Sequence, residues 1–100
     1  MKFSFEFHRD AEDEFLESYI WYEEGKDGLG DQFFDEVERK LQLITQKPEM
    51  FPFDEFPIRK AILKKFPFTI FYEFNAASKR IYVVGIFHSK RNPQVLKKRI

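Results

Sequence analysis

Apolar residues change their spacing several times along this chain, and that succession limits the folds open to it. From Lys2 to Phe7 they alternate, with Phe3, Phe5 and Phe7 on one side and Lys2, Ser4 and Glu6 on the other. Period-two alternation predicts a strand with one buried face. From Ala11 the spacing becomes helical. Ala11, Phe15, Tyr19 and Tyr22 fall on one stripe, with Leu16 and Ile20 beside it. Asp10 suits an N-cap, and Glu12, Asp13 and Glu14 suit a first turn that faces the positive end of the helix dipole. Glu23-Glu24-Gly25 closes this helix, and Gly25, Gly28 and Gly30 make a short turn. A second stripe follows through Phe33, Val37, Leu41 and Ile44, flanked by Phe34, until Pro48 stops it. Helices joined so tightly run antiparallel, as a hairpin.

The C-terminal half returns to strand patterns. Pro48 to Pro57 contains three prolines and reads as a loop. Three strands are expected at Ile58–Lys65, Phe68–Phe74 and Arg80–His88, with turns at Lys65-Phe66-Pro67 and Asn75–Lys79. Asn92 can cap a short final helix that has Pro93 at its first position. The order is βααβββ with a tail helix. It predicts an α+β domain covering 1–100, an antiparallel sheet packed on a helical hairpin. One sheet face is expected against the hairpin, and the other is expected bare for a macromolecule.

A hundred residues make one small domain with a modest core. Fourteen Phe, four Tyr and one Trp offset this, since each buried ring removes about 150–250 Å² from water. There is no cysteine, which excludes a disulfide scaffold, a thiol nucleophile and a thiolate zinc site. The acidic helices carry no metal-ligand pattern, and neither metal nor cofactor is expected. No stretch approaches a membrane span and the first residues do not form a signal peptide, so the expected location is the cytoplasm.

The net charge of zero conceals a strong asymmetry. Residues 1–55 hold six Lys/Arg against sixteen Asp/Glu, whereas residues 56–100 hold eleven against one, Glu73. The basic half therefore predicts an anionic partner, or else attraction between the two halves. Glu12, Asp13, Glu14 and Glu17 are expected on a solvated helix face. His8 is given no role. Trp21, off the main stripe, is expected either to pack under the tail or to meet a partner protein.

Several segments, taken in order, resemble the RelE/ParE superfamily of toxins. They are Phe7-His8-Arg9-Asp10-Ala11; Gly28-Leu29-Gly30-Asp31-Gln32-Phe33; Lys47-Pro48-Glu49; Ile58-Arg59-Lys60; Lys64 to Tyr72 with its Phe66-Pro67 turn; and His88-Ser89-Lys90-Arg91-Asn92-Pro93. The resemblance implies the toxin of a type II toxin–antitoxin pair, which arrests growth until a cognate antitoxin masks it. RelE-like members cut messenger RNA in the ribosome. ParE-like members inhibit DNA gyrase and cut nothing.

Cutting RNA without metal needs a base, cations for the phosphorane and an acid for the leaving oxygen. If the chain is a nuclease, His88 would be the acid and Arg91 a phosphate clamp. Arg59, Lys60, Lys64, Lys65 and Lys90 would bind phosphate, and Tyr72 would stack on a base or donate a proton. Other parts are missing. Phe68-Thr69-Ile70 lacks the arginine usual in ribosome-dependent members, and the ending Lys97-Lys98-Arg99-Ile100 has no tyrosine. The Phe66-Pro67-Phe68 turn and the His88 to Pro93 ending look more like ParE or plasmid-stabilisation members. The expected activity is thus gyrase inhibition without chemistry. The alternatives are a RelE-like ribonuclease and a non-toxic binding module.

Overall fold

The computed structural model describes residues 4–100, so Lys2 and Phe3 of the expected first strand lie outside the described residues. Strand β1 spans Ser4–Phe7, helix α1 Arg9–Gly25 and helix α2 Leu29–Gln46. Strands β2 (Phe53–Glu55), β3 (Ile58–Ile62), β4 (Phe68–Asn75) and β5 (Arg80–His88) follow, then a six-residue 3-10 helix, Pro93–Lys98. The class is α+β, with the order expected from the spacing plus one added strand.

The sheet runs β1-β5-β4-β3-β2. It is mixed rather than antiparallel: β1 lies parallel to β5, with Phe5 opposite Ile81 and Phe7 opposite Val83. Alternation reports which face of a strand is buried and carries no information about its neighbour or direction, so this pairing was not legible. The added strand β2 falls in the proline-bearing segment read as loop. It sits at the sheet edge, where a proline costs no ladder bond, and pairs with β3 through Phe53 and Arg59. The β3 strand stops at Ile62, so Lys64 and Lys65 belong to the β3–β4 turn.

The main core lies between the hairpin and one sheet face. Phe33, Val37 and Ile44 of α2 and Ala11 of α1 are fully buried against Ile70, Tyr72, Ile81, Val83 and Ile86. Phe33 is its centre, with ring centroids 5.2 Å from Tyr22, 5.3 Å from Phe66, 4.9 Å from Phe68 and 5.8 Å from Phe15. The hairpin is closed by a carboxylate. Glu23 accepts the Gly28 and Gly30 backbone N–H groups at 2.9 Å each, satisfying donors that a helix start leaves unpaired. Gly28 has φ 87°, and a Cβ on Gly30 would lie 2.7 Å from the Tyr19 carbonyl, so both positions require glycine. At the start of α1 the cap is His8, whose Nδ1 accepts from the Asp10 N–H at 3.0 Å. Asp10 itself lies inside the helix. Asn92 does cap the tail helix, accepting from the Gln94 N–H at 2.9 Å.

The second face is not bare. Leu96 of the tail helix is 1 % exposed and packs on Ile58, Phe71, Val84 and Phe87, with Val95 and Tyr82 at the margin. A tail read as a carrier of basic residues therefore also covers apolar surface.

Tyr72 points into the main core, 0 % exposed, and its hydroxyl donates to the Pro48 carbonyl at 2.6 Å. Burial pushes its pKa from 10.0 up to about 12. The unfolded chain therefore ionises first as pH rises. Stability from this group is complete below pH 10 and lost progressively toward pH 12. Chemical denaturation across that window is expected to show a fall of roughly 2–3 kcal/mol. Tyr72→Phe is expected to remove most of that slope and to cost about 1 kcal/mol at neutral pH through the lost hydrogen bond. An unchanged slope in the variant would refute the assignment.

Candidate functional site

Two loops meet at one end of the sheet, where β3 turns into β4 and where the chain leaves β5. Ser89 N–H donates to the Pro67 carbonyl at 2.8 Å, and the Thr69 and Ser89 hydroxyls lie 2.9 Å apart. Phe68 pairs with His88 across the strands, their ring centroids 5.7 Å apart. This joint brings Lys64, Lys65, His88 and Lys90 to one edge, all exposed. His88 Nδ1 accepts the Lys90 N–H at 3.1 Å, so the neutral ring carries its proton on Nε2.

The remaining expected site residues do not join them on one bare face. Arg91 is held by an α1 carboxylate: its Nη1 lies 2.7 Å from Glu14 Oε2, and its guanidinium lies 4.7 Å from the Phe87 ring centre. Arg59 donates to the Glu49 and Phe51 carbonyls at 3.2 and 2.7 Å and stacks 3.9 Å from the Phe53 ring centre. Lys60 lies 3.9 Å from Asp54. Arg59 and Lys60 occupy opposite faces, since Arg59 stands across from Tyr72 of the main core and Lys60 across from Phe71, which is buried on the face covered by the tail. Tyr72, buried and bonded to Pro48, cannot stack on a base. The expectation of one continuous basic surface fails here. The helix acids neutralise part of it, and strand alternation divides the rest.

Two carboxylates matter that their spacing did not reveal. Glu14 was expected on a solvated face, yet its side chain is 13 % exposed. It accepts from Arg99 Nη2 and Arg91 Nη1 at 2.7 Å and from Arg99 Nη1 at 3.0 Å, while Oε1 accepts the Ile86 N–H at 3.2 Å. Strand β1 stops at Phe7, and Glu14 takes up the ladder donor of β5 beyond that point. Arg99, 6 % exposed, also donates to the Val84 carbonyl at 2.9 Å. Glu14 holds the Arg99 guanidinium more firmly protonated than usual. The second carboxylate is Glu36, 8 % exposed, whose Oε2 accepts the Lys64 and Lys65 N–H groups at 2.7 and 3.0 Å. The only sequence signal for either acid is its helical offset from core residues, Ala11 for Glu14 and Phe33 for Glu36.

On the hairpin, a groove of ≈ 760 Å³ is lined by Phe7, Phe15, Leu16, Tyr19 and Phe34, with Glu12, Asp13 and Asp31 among its walls. Leu16 is 58 % exposed. Trp21 is 69 % exposed, meets Tyr22 edge-on at 5.1 Å and is not packed under the tail. Among the described residues no cluster of His, Asp or Glu is arranged to hold a metal ion, and no helix is long and apolar enough to cross a membrane.

The sequence from 5 to 93 matches the family model of the ParE toxin of the type II toxin–antitoxin system, parDE. The chain belongs to that family. Three solved structures share the fold of this ParE-family toxin. A double arginine-to-alanine mutant of the E. coli toxin RelE in the free state is 14 % identical, with a TM-score of 0.69 over 99 % of this chain and 94 % of that one. A chain of the chromosomal ParDE system of P. aeruginosa is 16 % identical, with a TM-score of 0.71 over 87 % and 96 %. The isolated E. coli RelE toxin is 16 % identical, with a TM-score of 0.64 over 96 % and 93 %. No curated protein matches the chain closely enough to lend it a function.

Proposed function

We propose that this ParE-family toxin acts by binding a protein target, DNA gyrase, and performs no chemistry of its own. The observation that carries this reading is the state of the residues a nuclease would need. Arg91 is bound to Glu14, Arg59 to two backbone carbonyls, and Tyr72 is buried. His88 remains exposed, with Lys64, Lys65 and Lys90 at the same end of the sheet. Such a set can meet an acidic surface, while Arg91, Arg59 and Tyr72, which would have clamped phosphate or stacked on a base, are engaged within the fold.

The antitoxin is the natural occupant of the hairpin groove. An apolar helix or strand that orders on binding would bury Leu16 and Phe34, and basic flanking residues would meet Glu12, Asp13 and Asp31.

The deciding experiment measures supercoiling by purified gyrase with increasing toxin, beside message cleavage on programmed ribosomes. Loss of supercoiling with intact message is the expected result. Cut message at the ribosomal A site with unaffected gyrase would replace this reading with the nuclease. Normal growth on induced expression without antitoxin would replace both with a non-toxic module.

A further inference from the structure

Helix α2 holds the β3–β4 turn at two points. Phe33 packs on Phe66 and Phe68, with ring centroids 5.3 and 4.9 Å away. One helical turn further on, Glu36 accepts the Lys64 and Lys65 N–H groups on Oε2 at 2.7 and 3.0 Å. The turn has two backbone hydrogen bonds of its own, from Leu63 N–H to the Phe68 carbonyl and from Phe68 N–H to the Phe66 carbonyl. Neither uses the Lys64 or Lys65 donor. Glu36 is 8 % exposed, and its Oε1 is buried without a hydrogen-bond partner. A buried acid with one oxygen unsatisfied lowers stability, and such departures from ordinary packing are expected at functional sites.

Glu36 holds the two lysines by their backbone and not by their charge. Among the described residues neither the Lys64 nor the Lys65 ammonium group has a carboxylate within ion-pair distance. Arg80, Arg91, Lys97 and Arg99 are held the other way, with a carboxylate on the charged group itself. A salt bridge would order each lysine and neutralise it. A carboxylate on the N–H groups orders the turn and leaves both charges available. Hydrogen bonds from backbone N–H to an ionised acceptor are roughly twice as strong as neutral ones, so one acid can fix the turn. The same carboxylate stands beside Arg39, Lys40, Lys64 and Lys65, which line the groove between α2 and the turn, and it offsets their mutual repulsion. We infer that Glu36 is a positioning residue for the target surface, fixing the turn from beneath so that Lys64 and Lys65 meet an acidic partner already in place. Pre-organisation of this kind removes an ordering cost from binding. The inference rests on the reading that this end of the sheet meets the target.

The test pairs amide exchange with a double-variant cycle in the full-length protein. Glu36→Ala removes the acceptor, so exchange at Lys64 and Lys65 should quicken about tenfold or more while amides at the centre of β5 keep their protection. Glu36→Gln keeps a carbonyl for both donors and should preserve most of that protection. Glu36→Asp, which keeps the charge and loses the reach, replaces Glu36→Ala should the latter fail to fold in a thermal melt. The second readout is the toxin concentration that halves supercoiling by gyrase. Glu36→Ala should raise it about tenfold and Glu36→Gln by less than about threefold, following the loss or retention of the two hydrogen bonds. Lys64→Gln combined with Lys65→Gln should raise it at least as far. Adding Glu36→Ala to that pair should change nothing more, because a positioning residue acts through the side chains it positions. An acid that merely stabilised the fold would weaken both backgrounds alike. Unchanged exchange at the two amides in Glu36→Ala would overturn the proposal, as would an effect on inhibition that is equally large without the two lysines. Wild-type protein that leaves gyrase untouched would refute the target reading alone. The amide exchange then still decides whether Glu36 fixes the turn, and the cycle is read on growth arrest after induced expression.

Discussion

Glu14→Ala is expected to lower folding stability by about 3–5 kcal/mol, because it strips a buried arginine of its main counter-ion and leaves only the longer contact to half-exposed Asp10. Arg99 is 6 % exposed and receives three of its contacts from Glu14 and Asp10 carboxylates: two hydrogen bonds at 2.7 and 3.0 Å and an ion pair at 3.6 Å. Without Glu14 the Ile86 N–H and the Arg91 guanidinium lose their acceptor as well. For a small domain with roughly 5–15 kcal/mol of total stability, that is a large fraction. Urea unfolding monitored by circular dichroism reads the change directly. The double variant Glu14→Leu with Arg99→Met should recover much of the loss, since apolar replacement of a buried pair is often near neutral. A single-variant loss below about 1 kcal/mol would show that the contact is no more than a surface ion pair.

Phe33→Ala is expected to cost about 3–5 kcal/mol, the range for emptying a fully buried aromatic site. Phe33 is 0 % exposed and its ring meets Phe15, Tyr22, Phe66 and Phe68. Phe66 and Phe68 flank Pro67 in the β3–β4 turn. The variant should therefore loosen the turn that presents Lys64 and Lys65, and amide exchange of Lys64 and Lys65 should quicken beyond the change in β5. Phe33→Leu keeps most of the volume and should cost less than half as much. Equal losses for the two variants would mean that the site collapses around any side chain and that ring packing is not what holds the turn.

Such buried positions were largely visible in the amino-acid order. The helical stripe through Phe33, Val37, Leu41 and Ile44 is buried throughout, and the alternation from Arg80 to His88 marks a real strand. Repeating patterns survive without knowledge of neighbours, because helix and strand geometry alone sets which residues share a face. The Asn92-Pro93 start of the tail is legible for the same reason, being a local capping signal.

The site was legible only in part. Lys64, Lys65, His88 and Lys90, each named from the sequence as a candidate, share one end of the sheet because the β3–β4 turn is joined there to the end of β5. Arg59, Lys60, Arg91 and Tyr72 went elsewhere. Their placement depended on the register of β3 against β4 and on a carboxylate 77 residues away from Arg91 in the chain. Charge counts record how many cations a segment has and cannot record which are already spent.

Apart from the edge strand β2 and the buried Tyr72, element type, element order and the helical share of the core were thus contained in the sequence by itself, because local geometry and apolar spacing determine them. The parallel pairing of β1 with β5, the covering of the outer face by Leu96, and the pairing of Glu14 with Arg91 and Arg99 were decided by tertiary structure. Those contacts join segments far apart in the chain. No periodicity encodes them, since each depends on which surfaces remain unburied after the local elements have formed.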